Sequence, residues 1–152
     1  VLDKAITIEP RKPNALFYKG IILGKIKKHE EALNCFNSVH KNNPSHMDAF
    51  FHKGIELAEL DKHVKAIEIF DKILSKHKDN VNIIYAKSRS KAALGEYPQA
   101  LELLKQSISK NPKTIINVEE DLDKIKGCKS YFYRKFDKKS NIEKYWKKII
   151  NK

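Results

Sequence analysis

Proline and glycine are scarce in this chain, five of each in 152 residues, which argues against a loop-rich architecture and for long regular elements. Cysteine is scarcer still. Cys35 and Cys128 lie far apart and in no C-x-x-C pair, so there is no disulfide framework, and a reducing, cytoplasmic setting is expected. No apolar run approaches the roughly 18 residues of a membrane span, and no charged-then-apolar leader opens the chain. An initiating methionine is missing too: the sequence starts at Val1 inside the helix-like run VLDKAITIE, so a piece of a longer protein is expected. The punctuation of catalysis is also absent. There is no phosphate-cradling Gly-rich loop, no nucleophile elbow, and no paired carboxylates beyond an ordinary helix surface. No enzyme and no cofactor are expected.

What is present is 41% hydrophobic and 33% charged residues, the balance of a water-soluble, all-α chain able to bury one core or a short array of units. The net charge of +12 is unevenly placed. Residues 124–152 carry eleven Lys and Arg against Asp137 and Glu143, a surplus of nine that leaves +3 for everything before Lys124. Charge on the main body therefore predicts no nucleic-acid partner.

The stretch HEEALNCF (29–36) holds His29, Glu30 and Cys35, with His40 close behind, and raises the question of a metal site. Moved forward by 34 residues it falls on HVKAIEIF (63–70), and by another 34 on YPQALELL (97–104). Ala32, Ala66 and Ala100 align, as do Phe36, Phe70 and Leu104. Upstream, Leu16, Phe50 and Ile84 align, then Gly20, Gly54 and Ser88, then Leu23, Leu57 and the exception Lys91. Pro10, Pro44 and Pro112 share a further position, which Lys78 breaks.

The repeat gives three units, 13–46, 47–80 and 81–114, preceded by a half unit, 1–12, in which Ala5, Ile6 and Pro10 match the end of a repeat. Apolar residues recur at three- and four-residue spacing in two blocks of each unit, so each unit predicts two helices. Ser45 with Asp48 reads as a capping box, Gly95 as a helix stop and Pro98 as a first-turn proline. The small residues should let helices approach closely, while Leu16, Phe36, Phe50, Phe70, Ile84 and Leu104 fill the core.

The 34-residue period, the G-x-x-L of the first helix, the A-x-x-x-F-like stretch of the second and the terminal proline resemble the tetratricopeptide repeat family. The resemblance covers residues 1–114 and implies a right-handed α-solenoid of antiparallel helix pairs, each pair leaning on its neighbours. It also turns the metal question into a packing one. His29 and His63 share the place of Tyr97, Leu33 stands where H-E-x-x-H needs its second histidine, and Cys35 aligns with Ile69 and Leu103. No metal site is expected.

In such arrays the first helices line a concave groove, so their residues outside the core become the binding candidates. Phe17, Phe51 and Tyr85 form one row, Ile21, Ile55 and Arg89 a second one turn along, and Asn14, Asp48 and Asn82 a polar row one turn earlier. Rings flanked by aliphatic groups suit an extended peptide or one face of a partner helix, with Asn14 and Asn82 bonding its backbone. Partial burial between adjacent first helices is the other reading of the rings. Family members that hold chaperone C-terminal tails clamp the carboxylate with Lys, Asn and Arg. The matching places here are Phe17 and Ile21, His52, and Asn82 and Ala86, so a less charged ligand is expected.

Beyond Pro112, TIINVEEDLDKIKG reads as a capping helix with Thr114 as N-cap, its acidic residues towards the start and Lys124 and Lys126 towards the end. Ser140 with Glu143 opens SNIEKYWKKIINK, whose Ile142, Tyr145, Trp146, Ile149 and Ile150 form a stripe opposite Lys144, Lys147 and Lys148. Residues 115–152 are thus expected to be a helical, basic C-terminal cap. Two functions are in play. One is a non-catalytic scaffold that binds a protein or peptide in its groove, with self-association through groove or C-terminal helix as a variant. The alternative is a basic adaptor that uses residues 124–152 on nucleic acid, an anionic membrane or an acidic protein.

Overall fold

The computed structural model describes residues 13–111 and Lys113; the half unit at 1–12, the expected cap at 115–152 and Lys144, Lys147 and Lys148 lie outside the described residues. The described residues form six helices and no strand: α1 (Pro13–Lys25), α2 (His29–Asn42), α3 (Met47–Glu59), α4 (His63–Leu74), α5 (Val81–Ala93) and α6 (Tyr97–Lys110). The fold is all-helical. Helix starts step by 34 residues in two series, Pro13, Met47, Val81 and His29, His63, Tyr97, which is the period of the sequence repeat.

Each helix pair is joined by the same turn. Lys28 N–H bonds to Leu23 C=O and Lys27 N–H to Gly24 C=O, at 2.8 and 3.0 Å, the paired closure of a Schellman cap. Lys62 to Leu57 with Asp61 to Ala58, and Glu96 to Lys91 with Gly95 to Ala92, repeat it. The cap needs one residue with positive φ. Gly95 takes it at 77°, but Lys27 and Asp61 are held at 63° and 59°, where a side chain costs about 1–2 kcal/mol.

The chain divides into two units, Val1–Ile73 and Leu74–Lys152. In the first, Ala32, Phe36, Val39 and Ala49 are fully buried, with Leu23 and Cys35 beside them and Leu16, Phe17 and Ile21 packed against the cluster. Close approach is visible at two glycines. A Cβ on Gly20 would stand 2.8 Å from Phe36 Cε1, and one on Gly54 2.6 Å from Phe70 Cε1, so only a bare backbone leaves room for those rings. Phe36, Phe70, Ile84 and Leu104 are buried as expected, whereas Leu16 and Phe50 are only half-buried. Phe50 lies flat on the His40 ring, 4.6 Å between centroids.

In the second unit α5 packs on α6. Two buried hydroxyls donate to carbonyls one turn back, Ser88 to Tyr85 at 2.7 Å and Ser107 to Leu104 at 2.8 Å, so neither carries an unpaired polar group into the core. Lys91, which breaks the leucine position, ion-pairs with Glu96 at 2.6 Å. The expected capping box at Ser45 is corrected. His46 is the N-cap of α3 and its Nδ1 accepts from Ala49 N–H at 3.1 Å, because Ser45 Oγ is engaged with Asn43 Oδ1 at 2.6 Å.

Candidate functional site

The first helices of the first unit, α1 and α3, carry four residues of the predicted apolar rows. Phe17 is half-buried, its ring edge-on to Phe36 at 5.9 Å and within 5.7 Å of His52. Phe51 is also half-buried, against Phe70 at 6.0 Å and His52 at 5.5 Å. Both rings are thus already packed on second-helix phenylalanines and present only part of their surface. Asn14 and Asp48 are exposed at the other end of the same helices.

Ile21 and Ile55 meet differently. Both are half-buried and both line a cleft of about 480 Å³, together with Gly24, Lys25, Lys27, His29, His52, Glu56 and Glu59. That volume suits a side chain or short segment of a ligand. The structure therefore brings Ile21 and Ile55 together in one cavity and leaves Phe17 and Phe51 beside it.

Glu56 is the feature of the cleft that repeat reasoning does not find. It is 5% exposed and the one buried carboxyl side chain among the described residues. Its Oε2 accepts from the His29 ring at 2.7 Å, which ties the start of α2 to α3. Its Oε1 sits against the α1 backbone at Gly24, so closely that a Cβ there would overlap it. Burial raises the Glu56 carboxyl above its ordinary value, offset in part by the hydrogen bond and charge of His29, while Glu59 adds to the rise. Without that imidazole a buried carboxylate would carry a desolvation cost of several kcal/mol.

The signal that could have revealed Glu56 is its place in the repeat. It aligns with Ile22 and Ser90, so a charge stands where the other units have none. His29 was legible as a packing position but not as the partner of a residue 27 positions away. His52 stacks on Phe36 at 5.4 Å with rings 20° apart, and burial lowers its pKa, with Asp48 opposing.

The other ligand-type residues do not converge. Cys35 is a core residue whose thiol is pushed up by burial, and among the described residues no three His, Cys, Asp or Glu side chains could hold a metal ion together. No helix among them is long and apolar enough to cross a membrane. In the second unit Asn82 is exposed and Tyr85 and Arg89 are half-buried on α5. A second cleft there, about 540 Å³ between α5 and α6, is lined by Lys87, Lys91, Pro98, Gln99, Glu102 and Leu103, none of which sequence reasoning proposed as a site.

Two family models, each described as tetratricopeptide repeat, match residues 14–46 and 57–118. No curated protein matches the sequence. Among solved structures, a tetratricopeptide repeat protein from Parabacteroides merdae ATCC 43184 superposes with a TM-score of 0.75 at 22% identity, covering 94% of this chain and 54% of that one. MamA from Desulfovibrio magneticus RS-1 gives 0.73 at 19%, covering 99% and 80%. YrrB, described as a TPR protein with an unusual peptide-binding site, gives 0.65 at 15%, covering 97% and 74%. At these identities the likeness is one of fold.

Proposed function

The chain belongs to the tetratricopeptide repeat family, and from that premise we propose that it is a non-catalytic scaffold whose first-helix surface binds a peptide or helical segment. The carrying observation is the cleft with Ile21 and Ile55 in its walls. An aliphatic side chain of a partner fits between them, and the exposed edges of Phe17 and Phe51 extend the apolar surface along α1 and α3. Asn14 and Asp48 supply polar groups towards one end, and Asn82, Tyr85 and Arg89 are the corresponding candidates on α5. The peptide-binding description attached to YrrB agrees with this reading in kind.

The test is selection of peptides from a random display library by the purified chain, followed by binding measurements on Ile21→Ser and Ile55→Ser variants. Selected peptides should lose at least about tenfold in affinity on each variant, since a buried isoleucine contact is worth about 1.5–3 kcal/mol. Undiminished binding to both folded variants refutes the site.

A second reading rests on the surplus of nine positive charges in residues 124–152: a basic adaptor for nucleic acid or an anionic surface, acting through Lys144, Lys147 and Lys148. It predicts binding that collapses with added salt and with neutralisation of those lysines, while Ile21→Ser leaves it intact.

A further inference from the structure

We propose that the cleft between α1 and α3 is a receptor for a basic side chain with an aliphatic stem, a lysine of the bound peptide, whose ammonium is taken by Glu56 Oε1. The inference rests on the peptide-binding reading and names the chemistry that the cleft selects.

A carboxylate offers acceptor sites on both oxygens. In Glu56, Oε2 is used by the His29 ring at 2.7 Å, and among the described residues no donor reaches Oε1, which lies against Gly24 in the cleft wall. Glu56 is nine-tenths buried as a residue and lines the cleft, so a donor brought there by a ligand meets less competition from water than at an open surface.

Two further features set the sign of that donor. The cleft lies at the last turns of α1 and α3, with Gly24 and Lys25 from one and Glu56 and Glu59 from the other. Helix C-termini carry partial negative charge and favour cations. Glu59 adds a second carboxylate at the rim. Against these stand Lys25 and Lys27, whose exposed side chains can turn to solvent, and the His29 and His52 rings, of which burial lowers the His52 pKa, with Asp48 opposing. Burial also raises the Glu56 carboxyl, and a paired ammonium relieves that cost. The apolar lining completes the match: Ile21 and Ile55 line the same cleft as Glu56, so the methylene stem of a lysine is covered while its charged head meets the carboxyl.

The same features set the ligand apart from the acidic tails held by carboxylate-clamp relatives. None of the places that match such a clamp, Phe17, Ile21, His52, Asn82 and Ala86, is Lys or Arg, and the buried ionisable group that lines this cleft is a carboxyl.

The experiment is an NMR titration of the isotope-labelled 152-residue chain with two peptides of equal shape, acetyl-Leu-Lys-Leu-amide and its norleucine counterpart, which keeps the stem and lacks the ammonium. The lysine peptide should shift the His29, Ile21 and Ile55 signals and bind about tenfold more tightly than the norleucine peptide, as expected of a charge-assisted hydrogen bond. Glu56→Gln, which keeps an oxygen for the His29 N–H, should abolish that preference. Gly24→Ala, which crowds Oε1, should weaken it and serves as the second variant. Equal affinity for the two peptides, or a lysine preference that survives both variants, overturns the proposal and leaves the peptide cleft standing. If neither peptide moves the three signals, the cleft takes no peptide and both readings fall.

Discussion

Gly24→Ala puts a methyl group where Glu56 Oε1 now lies, and the cost can be worked from the geometry. On an isolated helix the exchange would stabilise by at most about 1 kcal/mol. Here the carboxylate must move, and moving it breaks the 2.7 Å bond to His29, a hydrogen bond to a charged group worth about 1.5–3 kcal/mol. The net expectation is a loss of about 1 kcal/mol. On a Glu56→Ala background the clash is gone, so the same substitution should become neutral or stabilising. The double-mutant cycle should therefore show a coupling of about 2 kcal/mol, well above the 0.3–0.5 kcal/mol of independent sites. Urea midpoints of the four proteins, followed by far-UV circular dichroism, measure it. If Gly24→Ala shifts stability equally on both backgrounds, Glu56 does not lie against α1 at Gly24.

Three other outcomes are expected. Because burial raises the Glu56 carboxyl, its protonation favours the fold; this stabilisation is complete below the ordinary carboxylate value and lost as pH rises through the raised one. Urea midpoints from about pH 4 to about pH 7 should thus show wild type losing ground to Glu56→Gln as pH rises. Gly54→Ala forces a methyl to within 2.6 Å of the fully buried Phe70 ring and should destabilise by about 1–3 kcal/mol in the same assay. Lys27→Gly relieves a positive φ; after the added unfolded-state entropy of glycine it should stabilise by about 0.5 kcal/mol, visible as a higher thermal midpoint.

Much of the fold was legible because a repeat states its pattern three times. Gly20 and Gly54 announce close approach by recurring at one position, and each is met by the phenylalanine of the following helix, Phe36 and Phe70. Both helix series begin on the 34-residue step that the sequence predicts. What recurs only in backbone shape was hidden. Lys27, Asp61 and Gly95 share one left-handed turn position, yet only glycine signals it by residue type. The cap of α3 was misread for a related reason: Ser45 and His46 can each accept a backbone N–H, and the Asn43 side chain, which decides between them, lies outside the capping-box pattern.

The geometry of the candidate site was legible in part. Ile21 and Ile55 are neighbours on successive first helices by their spacing, and they line one cleft. Phe17 and Phe51 were picked for the same reason, yet each rests on a ring of a second helix, a contact that spacing along one helix does not report. Glu56 is not legible in the repeat, because alignment of repeats shows what is shared, and the His29–Glu56 pair occurs in one repeat junction alone among the described residues. Glu56 stands at a position held by Ile22 and Ser90 in the other units, so it has no counterpart with which a repeat comparison could pair it.

On the proposed function, the cleft lined by Ile21 and Ile55 is the place where a partner side chain enters. Isoleucine methyl spectra of the chain, recorded with and without a display-selected peptide, test this with signals already inside the molecule. Ile21 and Ile55 should shift on binding while the fully buried Ile73 and Ile108 stay in place. A peptide that binds and leaves Ile21 and Ile55 unmoved would contradict the account.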